Sequence, residues 1–412
     1  MAGQVMVSEI EAASERDHVQ TANWLGIGAL GVSVFALVMA EFLPPSVLTP
    51  MSKDLSVSLG AAGQAVTATA VIGAFAALLV PVLSRRWDRK TVLLGLLLIL
   101  LGSNLLTAFA ANLPTLLVAR VLLGVALGGF WSMVPAVAMR LVPMHVLGRA
   151  MAMIFTGVTL ATVLAAPVGA YIGDLLGWRA AFWLAGAVGV LALLASLATL
   201  PALAPRDGVN LAGLVEVAGR VPVRWVLAGV VLVVSGHFAG FTYIRPVLEQ
   251  VTRLDVAAIS LALLVFGGAG FIGNAVGGLL SGRDPRLSVM AGCGVLAIAL
   301  AAVTAFGASP AVTFAALALW GAGFAMLPVG FQAWMATETM DKPELGGGLL
   351  TATFQVAIAT GAIFGGLLVD RFGVLATPAY CALMAVLGVV LVVRCRAAGA
   401  PQPIAASACC AP

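Results

Sequence analysis

The sequence predicts an all-α integral membrane protein, with twelve transmembrane helices in two pseudo-symmetric six-helix halves. Three observations lead there. Of 412 residues, 62% are hydrophobic and only 9% are charged, whereas a soluble domain carries about 25% charged residues and needs them to cover its surface. Twelve apolar stretches approach the roughly 20 residues that a helix needs to cross a bilayer. Small residues also recur between the two halves at a nearly constant offset.

The chain opens with a polar, acidic segment, residues 1–23, which lacks the basic region and cleavage site of a signal peptide. Six apolar stretches follow in a first half, residues 24–200, with spans near 24–48, 61–83, 92–111, 114–138, 149–173 and 179–200. Residues 201–224 form the longest internal polar gap. They hold Pro201, Pro205, Gly208, Asn210 and Pro222, and read as a linker. The second half, residues 225–394, repeats the pattern near 225–249, 257–281, 287–306, 311–335, 347–369 and 374–393, and a tail runs over 395–412. One set of loops, together with both tails, carries 15 Lys and Arg, including Arg85, Arg86, Arg89, Lys90, Arg140 and Arg149. The opposite loops carry 4: Lys53, Arg179, Arg253 and Arg371. Basic residues stay on the cytoplasmic side, so both tails and the linker are expected there, in a bacterial-type inner membrane. Trp24, Trp178, Trp225 and Trp334 lie near predicted span ends and read as interfacial anchors.

The fifth span carries Gly157, Ala161, Ala165, Gly169 and Gly173, then Asp174 and Gly177. An offset of 196 lays Ala161, Ala165, Gly169, Asp174 and Gly177 onto Ala357, Gly361, Gly365, Asp370 and Gly373 near the eleventh. An offset of 197 lays Gly124 and Gly128 of the fourth span onto Gly321 and Ala325 of the tenth. Spacing by four puts small residues on one helix face, where another backbone can approach closely. The abundance of Ala and Gly is the plainer alternative; internal duplication, common in transporters, is favoured for the fifth and eleventh spans.

Charges inside the membrane are costly and mark function. Glu41 lies in the first span, about 9 Å from its outer end at 1.5 Å per residue, and Pro44 and Pro45 follow. Neither proline can donate to the carbonyls of Ala40 and Glu41, which are left free beside the carboxylate. Two readings are open: a proton carrier, or a static ion pair. Arg120 enters the fourth span at similar depth and is the expected cation, either meeting Glu41 or binding the freed carbonyls. His237 stands near the middle of the seventh span as a second proton site, a substrate donor, or a neutral buried imidazole. Arg245 and Glu249, four apart, are expected to pair at the rim. Gln64, Thr67, Asn104, Ser132, Asn274, Gln332 and Gln355 are polar uncharged side chains within spans, and Phe130, Trp131 and Phe354 are aromatic ones. Amides and ring faces suit a neutral heterocyclic or sugar-bearing solute; interhelical hydrogen bonding explains each amide singly.

Several classes are excluded. The sequence has no G-x-x-x-x-G-K-[ST] loop, no H-E-x-x-H, no G-x-S-x-G and only three His, so direct ATP drive and membrane-embedded hydrolysis are not expected. The five cysteines, Cys293, Cys381, Cys395, Cys409 and Cys410, form no CxxC pair, and neither a disulfide framework nor a metal site is expected. A net charge of +4 without a basic block does not suit nucleic-acid binding.

These residues together resemble the major facilitator superfamily over nearly the whole chain. Arg120-x-x-x-Gly124-x-x-x-Gly128 is similar to its fourth-helix motif. Ala165-Ala-Pro-Val-Gly169 resembles the antiporter motif around Pro167, with Ala166 where glycine is usual. Gly177-Trp-Arg179 with Phe182 is similar to the twelve-helix drug:proton antiporter branch. The loop Ser84-Arg-Arg-Trp-Asp-Arg-Lys90 is a degraded hallmark motif, in which Arg85 replaces an acidic residue and Asp88, before Arg89, replaces glycine. Within the branch, Glu41-Phe-Leu-Pro, Leu48-Thr-Pro-Met51, Leu127-Gly-Gly-Phe-Trp-Ser132 and Phe241-Thr-Tyr-Ile-Arg-Pro246 resemble the purine ribonucleoside efflux pumps. The resemblance implies a secondary active transporter, not an enzyme. It would export inosine- or guanosine-type nucleosides by proton antiport with alternating access, as a monomer without cofactors. Sugar or drug efflux is the alternative. A non-transporting membrane sensor on the same fold would need a large soluble appendage, and the longest soluble segments are short.

Overall fold

The computed structural model describes residues 22–143, 146–204 and 211–399. Among them are fourteen helices: α1 Trp24–Asp54, α2 Leu59–Leu83, α3 Arg89–Ala108, α4 Leu113–Leu141, α5 Leu147–Leu175, α6 Trp178–Thr199, α7 Leu211–Gly219, α8 Val221–Phe241, α9 Ile244–Gln250, α10 Val256–Ser281, α11 Pro285–Phe306, α12 Pro310–Glu338, α13 Pro343–Phe372 and α14 Ala376–Gly399. Twelve of them, all but α7 and α9, are long and apolar enough to cross a membrane.

Short polar residues start these helices by accepting from the otherwise unpaired first-turn N–H groups. Asn23, Ser58, Asp88, Asn112 and Asp255 accept from the amides of Gly26, Ala61, Thr91, Thr115 and Ala258, respectively. Gly177 and Gly373, between α5 and α6 and between α13 and α14, have φ of 85° and 82°, a region open to glycine at little cost. They are the same pair that the 196 offset relates.

The repeat extends to packing partners. A Cβ on Gly169 of α5 would strike Leu43 and Ser46 of α1; one on Gly365 of α13 would meet Ala239 of α8 and Tyr243 just beyond it. A Cβ on Gly124 would lie 2.5 Å from the Thr69 carbonyl oxygen of α2, and one on Gly321 would collide with that of Phe266 in α10. Leu43 and Ala239 are separated by 196, Thr69 and Phe266 by 197. The halves therefore share their helix contacts as well as their small residues, as close backbone approach in lipid requires.

We call the end with the α2–α3, α4–α5 and α12–α13 turns the linker face, and the opposite end the distal face. One apolar core fills each half. A third lies at the distal face, where Leu43, Val47 and Ala62 of the first half pack with Tyr243, Val247 and Val369 of the second. At the linker face, ion pairs tie the linker helix to the second half. Arg220 meets Asp341 at 2.7 Å and Lys342 meets Glu216 at 2.6 Å, fastening α7 to the α12–α13 turn. The Arg220 guanidinium holds the Asp341 carboxyl down to about 2.

Four expectations are corrected by the structure. The first span does not stop near 48; it continues through Pro44, Pro45 and Pro50 to Asp54. The seventh breaks after Phe241 and resumes as α9, because Pro246 cannot donate to the Thr242 carbonyl. The linker contains α7, whose short length hid it. Trp178 and Trp334 are buried, their indoles donating to Asp54 and Glu338, so they are packing residues; Trp24 and Trp225 keep partial exposure.

Gly128 tests the close packing. A side-chain carbon there would run into the Gly73 carbonyl, whereas at Gly95 and Gly102 nothing lies within 4 Å. Gly128→Val is expected to lower stability by about 1–3 kcal/mol or more, read as lost membrane accumulation or a lower melting midpoint, while Gly102→Ala leaves both unchanged.

Candidate functional site

Arg120 is fully buried in α4, with Gly124 and Gly128 on the same face letting α2 approach. Its Nη1 and Nη2 both donate to the Ala40 carbonyl of α1 at 3.1 Å. Its Nε donates to the Ala65 carbonyl at 3.3 Å and to Thr69 Oγ1 at 3.1 Å, and its guanidinium lies 6.0 Å from the Phe182 ring centre. Ala40 is the residue whose intrahelical donor Pro44 removes. The guanidinium thus takes an acceptor that α1 cannot satisfy, and the expected meeting with a freed carbonyl is what the structure has.

Glu41 follows Ala40 and is half-buried. Its carboxylate lies beside Arg120 from its own half and against the Gln355 amide from α13 of the other half. Gln355 is itself buried and packs over Gly73, where a Cβ would come 2.8 Å from its Nε2. The two halves therefore meet at Glu41, the acidic side chain in the interior of α1.

Arg245 does pair with Glu249, at 2.6 Å, yet it is no rim residue: its side chain is only 3% exposed. It also donates to the Ser46 carbonyl of α1 at 2.7 Å and lies 3.7 Å from Asp174. Pro50 frees the Ser46 carbonyl just as Pro44 frees that of Ala40, so the same sequence signal could have found it. Asp370 also joins the halves at the distal face, accepting from Ser58 Oγ at 2.7 Å and the Gly60 amide at 3.0 Å.

His237 is completely buried in α8. Its ring stacks on Phe324 with centroids 3.5 Å apart, and Phe238, Phe241 and Phe266 surround it. Trp320 Nε1 donates to its Nδ1 at 3.0 Å. The offset of 196 carries Glu41 onto His237, so the two occupy equivalent places in the two halves. Phe42, next to Glu41, touches the same aromatic group, 6.2 Å from Phe238 and 5.6 Å from Phe241.

The remaining candidates scatter. Gln64 turns back toward the Gly60 carbonyl at 3.5 Å and Ser132 toward that of Gly129 at 2.8 Å. Trp131 packs on Phe155, 5.8 Å between centroids. Thr67 and Asn104 are buried, and among the described residues neither side chain has a hydrogen-bond partner. Asn274 and Gln332 are exposed. Asp88 caps α3 and accepts from the Leu203 amide at 2.5 Å, while Arg89 donates to Ser84; this loop is fastened to the segment after α6. Pro167 lies within α5, two residues before Gly169, which meets α1.

Residues 30–344 match the Major Facilitator Superfamily. The chain belongs to the major facilitator superfamily. It is 35% identical over 359 residues to the purine ribonucleoside efflux pump NepI of Salmonella typhimurium (strain LT2), covering 87% of this chain and 90% of that protein. It is 36% identical over 357 residues to the NepI of Escherichia coli (strain UTI89), with the same coverage. Among solved structures, a bacterial homologue of the human lysosomal transporter Spinster, inward-facing and occupied, superposes with a TM-score of 0.71. The identity is 18%, over 90% of this chain and 94% of that one, a likeness of fold. As a member of the superfamily the chain is a transporter, not an enzyme.

Arg120→Ala is expected to abolish transport, by at least about a hundredfold, while the protein still reaches the membrane. Arg120→Lys should recover little, because one ammonium cannot reproduce the planar fork that serves three acceptors. Transport assays alongside a membrane-fraction blot check both; full activity in Arg120→Ala would remove the site.

Proposed function

We propose that this protein exports purine ribonucleosides, of the inosine and guanosine kind, in exchange for protons by alternating access. The observation that carries the proposal is the Glu41 carboxylate inside the membrane, between Arg120 of its own half and Gln355 of the other. Burial without a cation favours the protonated carboxyl, and a nearby guanidinium favours the charged one. A carboxylate whose partners come from both halves has its proton affinity altered when the halves move. Glu41 would load a proton when the site faces outward and release it when the site faces inward. The names of the NepI relatives supply the solute class.

The shared distal core, the Arg245–Ser46 bond and the Asp370 cap support a resting state closed at the distal face. With the charge asymmetry of the loops, the distal face is the outer one, and both termini and the linker lie in the cytoplasm of an inner-membrane protein that works as a monomer. The halves would rock about the Glu41 level, and the outer contacts would part for release. One proton crossing 100 mV releases about 2.3 kcal/mol. At 1.4 kcal/mol per tenfold, that sustains a gradient of roughly fortyfold.

Inverted vesicles energised with a pH gradient are the test. Wild type is expected to accumulate inosine and Glu41→Gln is not. Accumulation by neither overturns the nucleoside assignment and turns the same vesicles to a sugar and drug panel. Equal accumulation by both leaves Glu41 a structural residue.

A further inference from the structure

The second half holds a polar group that the proton mechanism does not use. Trp320 Nε1 is only ever a donor, so the Nδ1 of His237 that it contacts must be the acceptor, and the ring proton sits on Nε2. Nε2 is buried, and among the described residues it has no partner. A buried donor left unmet carries a substantial penalty, and this one is enclosed by rings. Phe42 and Phe324, both half-buried, stand over the cluster, and Phe324 already lies parallel to the imidazole, 6° between planes. The place that Phe324 fills suits a flat aromatic ring. His237 is also the counterpart of Glu41 under the internal repeat, and Phe42 joins the two positions.

Resting on the nucleoside reading above, we propose that Nε2–H of His237, its tautomer fixed by Trp320, donates to the acceptor edge of a purine base stacked in this aromatic cluster. The base would displace Phe324 from the imidazole face or slide along it. His237 would thus select the solute, and Trp320 would position His237. The edge of a 6-oxopurine that bears N7 and O6 offers two acceptors, whereas a 6-aminopurine sets an amino donor beside N7. A fixed single donor favours the 6-oxo base.

The experiment is competition against labelled inosine uptake in energised inverted vesicles, with guanosine and adenosine as competitors. In wild type, guanosine is expected to compete roughly tenfold better than adenosine, the scale of one hydrogen bond. His237→Phe keeps a ring but no donor; it should erase that ratio, with KM for inosine rising. His237→Gln, which restores an N–H, should recover part of it. Trp320→Phe frees the tautomer and should narrow the ratio with His237 still present, an effect that packing alone would not produce. Trp320→Phe decides if His237→Phe fails to reach the membrane. An unchanged ratio in the decisive variant, or no guanosine preference in wild type, overturns the proposal while nucleoside export stands. Absence of inosine uptake by wild type removes both.

Discussion

Pro44 and Pro50 leave the carbonyls of Ala40 and Ser46 without an intrahelical donor, and an arginine takes each of them. In a bilayer neither party has water to fall back on: an unmet backbone carbonyl costs several kcal/mol there, and an arginine is costly anywhere in the hydrocarbon region. Pairing them resolves both. Arg120 comes from α4 of the same half and Arg245 from the segment just past the break in α8. One arginine therefore fixes α1 within its own half, and the other ties it to the opposite half at the distal face. Glu41 is held at a defined depth because the residue before it is clamped.

The internal repeat gives this asymmetry a functional sense. Positions related by an offset of 196 or 197 keep the same packing partners, from Gly169 and Gly365 on their neighbouring helices to Gly124 and Gly321 on theirs. Yet Glu41 and His237, equivalent by the same offset, have opposite surroundings. Around Glu41 are a guanidinium and an amide; around His237 are four phenylalanines and an indole. One scaffold was used twice, with charge kept in one half and ring faces in the other. Phe42 is the residue through which the two surroundings touch.

Much of this was legible in the chain itself. Apolar length alone located all twelve spans, because lipid demands uninterrupted helices, and the proline rule pointed to a free carbonyl at Ala40 with Arg120 as a partner. The same rule applied to Pro50 points to Ser46, but Glu249 four residues from Arg245 offered a sufficient local partner and hid the longer reach. Gln355 against Glu41 and Trp320 on His237 are contacts between residues 314 and 83 apart, and no local pattern announces them. The helix in the linker is hidden because nine residues, with Glu216 among them, make too short a stretch to read as a span. Trp178 and Trp334 differ from the anchors that their places near helix ends suggest, because each indole has a carboxylate within the protein to donate to.

The central claim is that Arg120 serves the carbonyl that Pro44 frees, and a double-mutant cycle tests it most directly. Pro44→Ala returns an N–H to the Ala40 carbonyl, and Arg120→Leu removes the guanidinium. Melting midpoints of the purified protein would be compared for wild type, both single variants and the double. The account predicts that Arg120→Leu is strongly destabilising alone and much less so with Pro44→Ala, since α1 then closes its own bond. Strictly additive losses would mean that the guanidinium and the proline-freed carbonyl are unrelated, and would contradict the account.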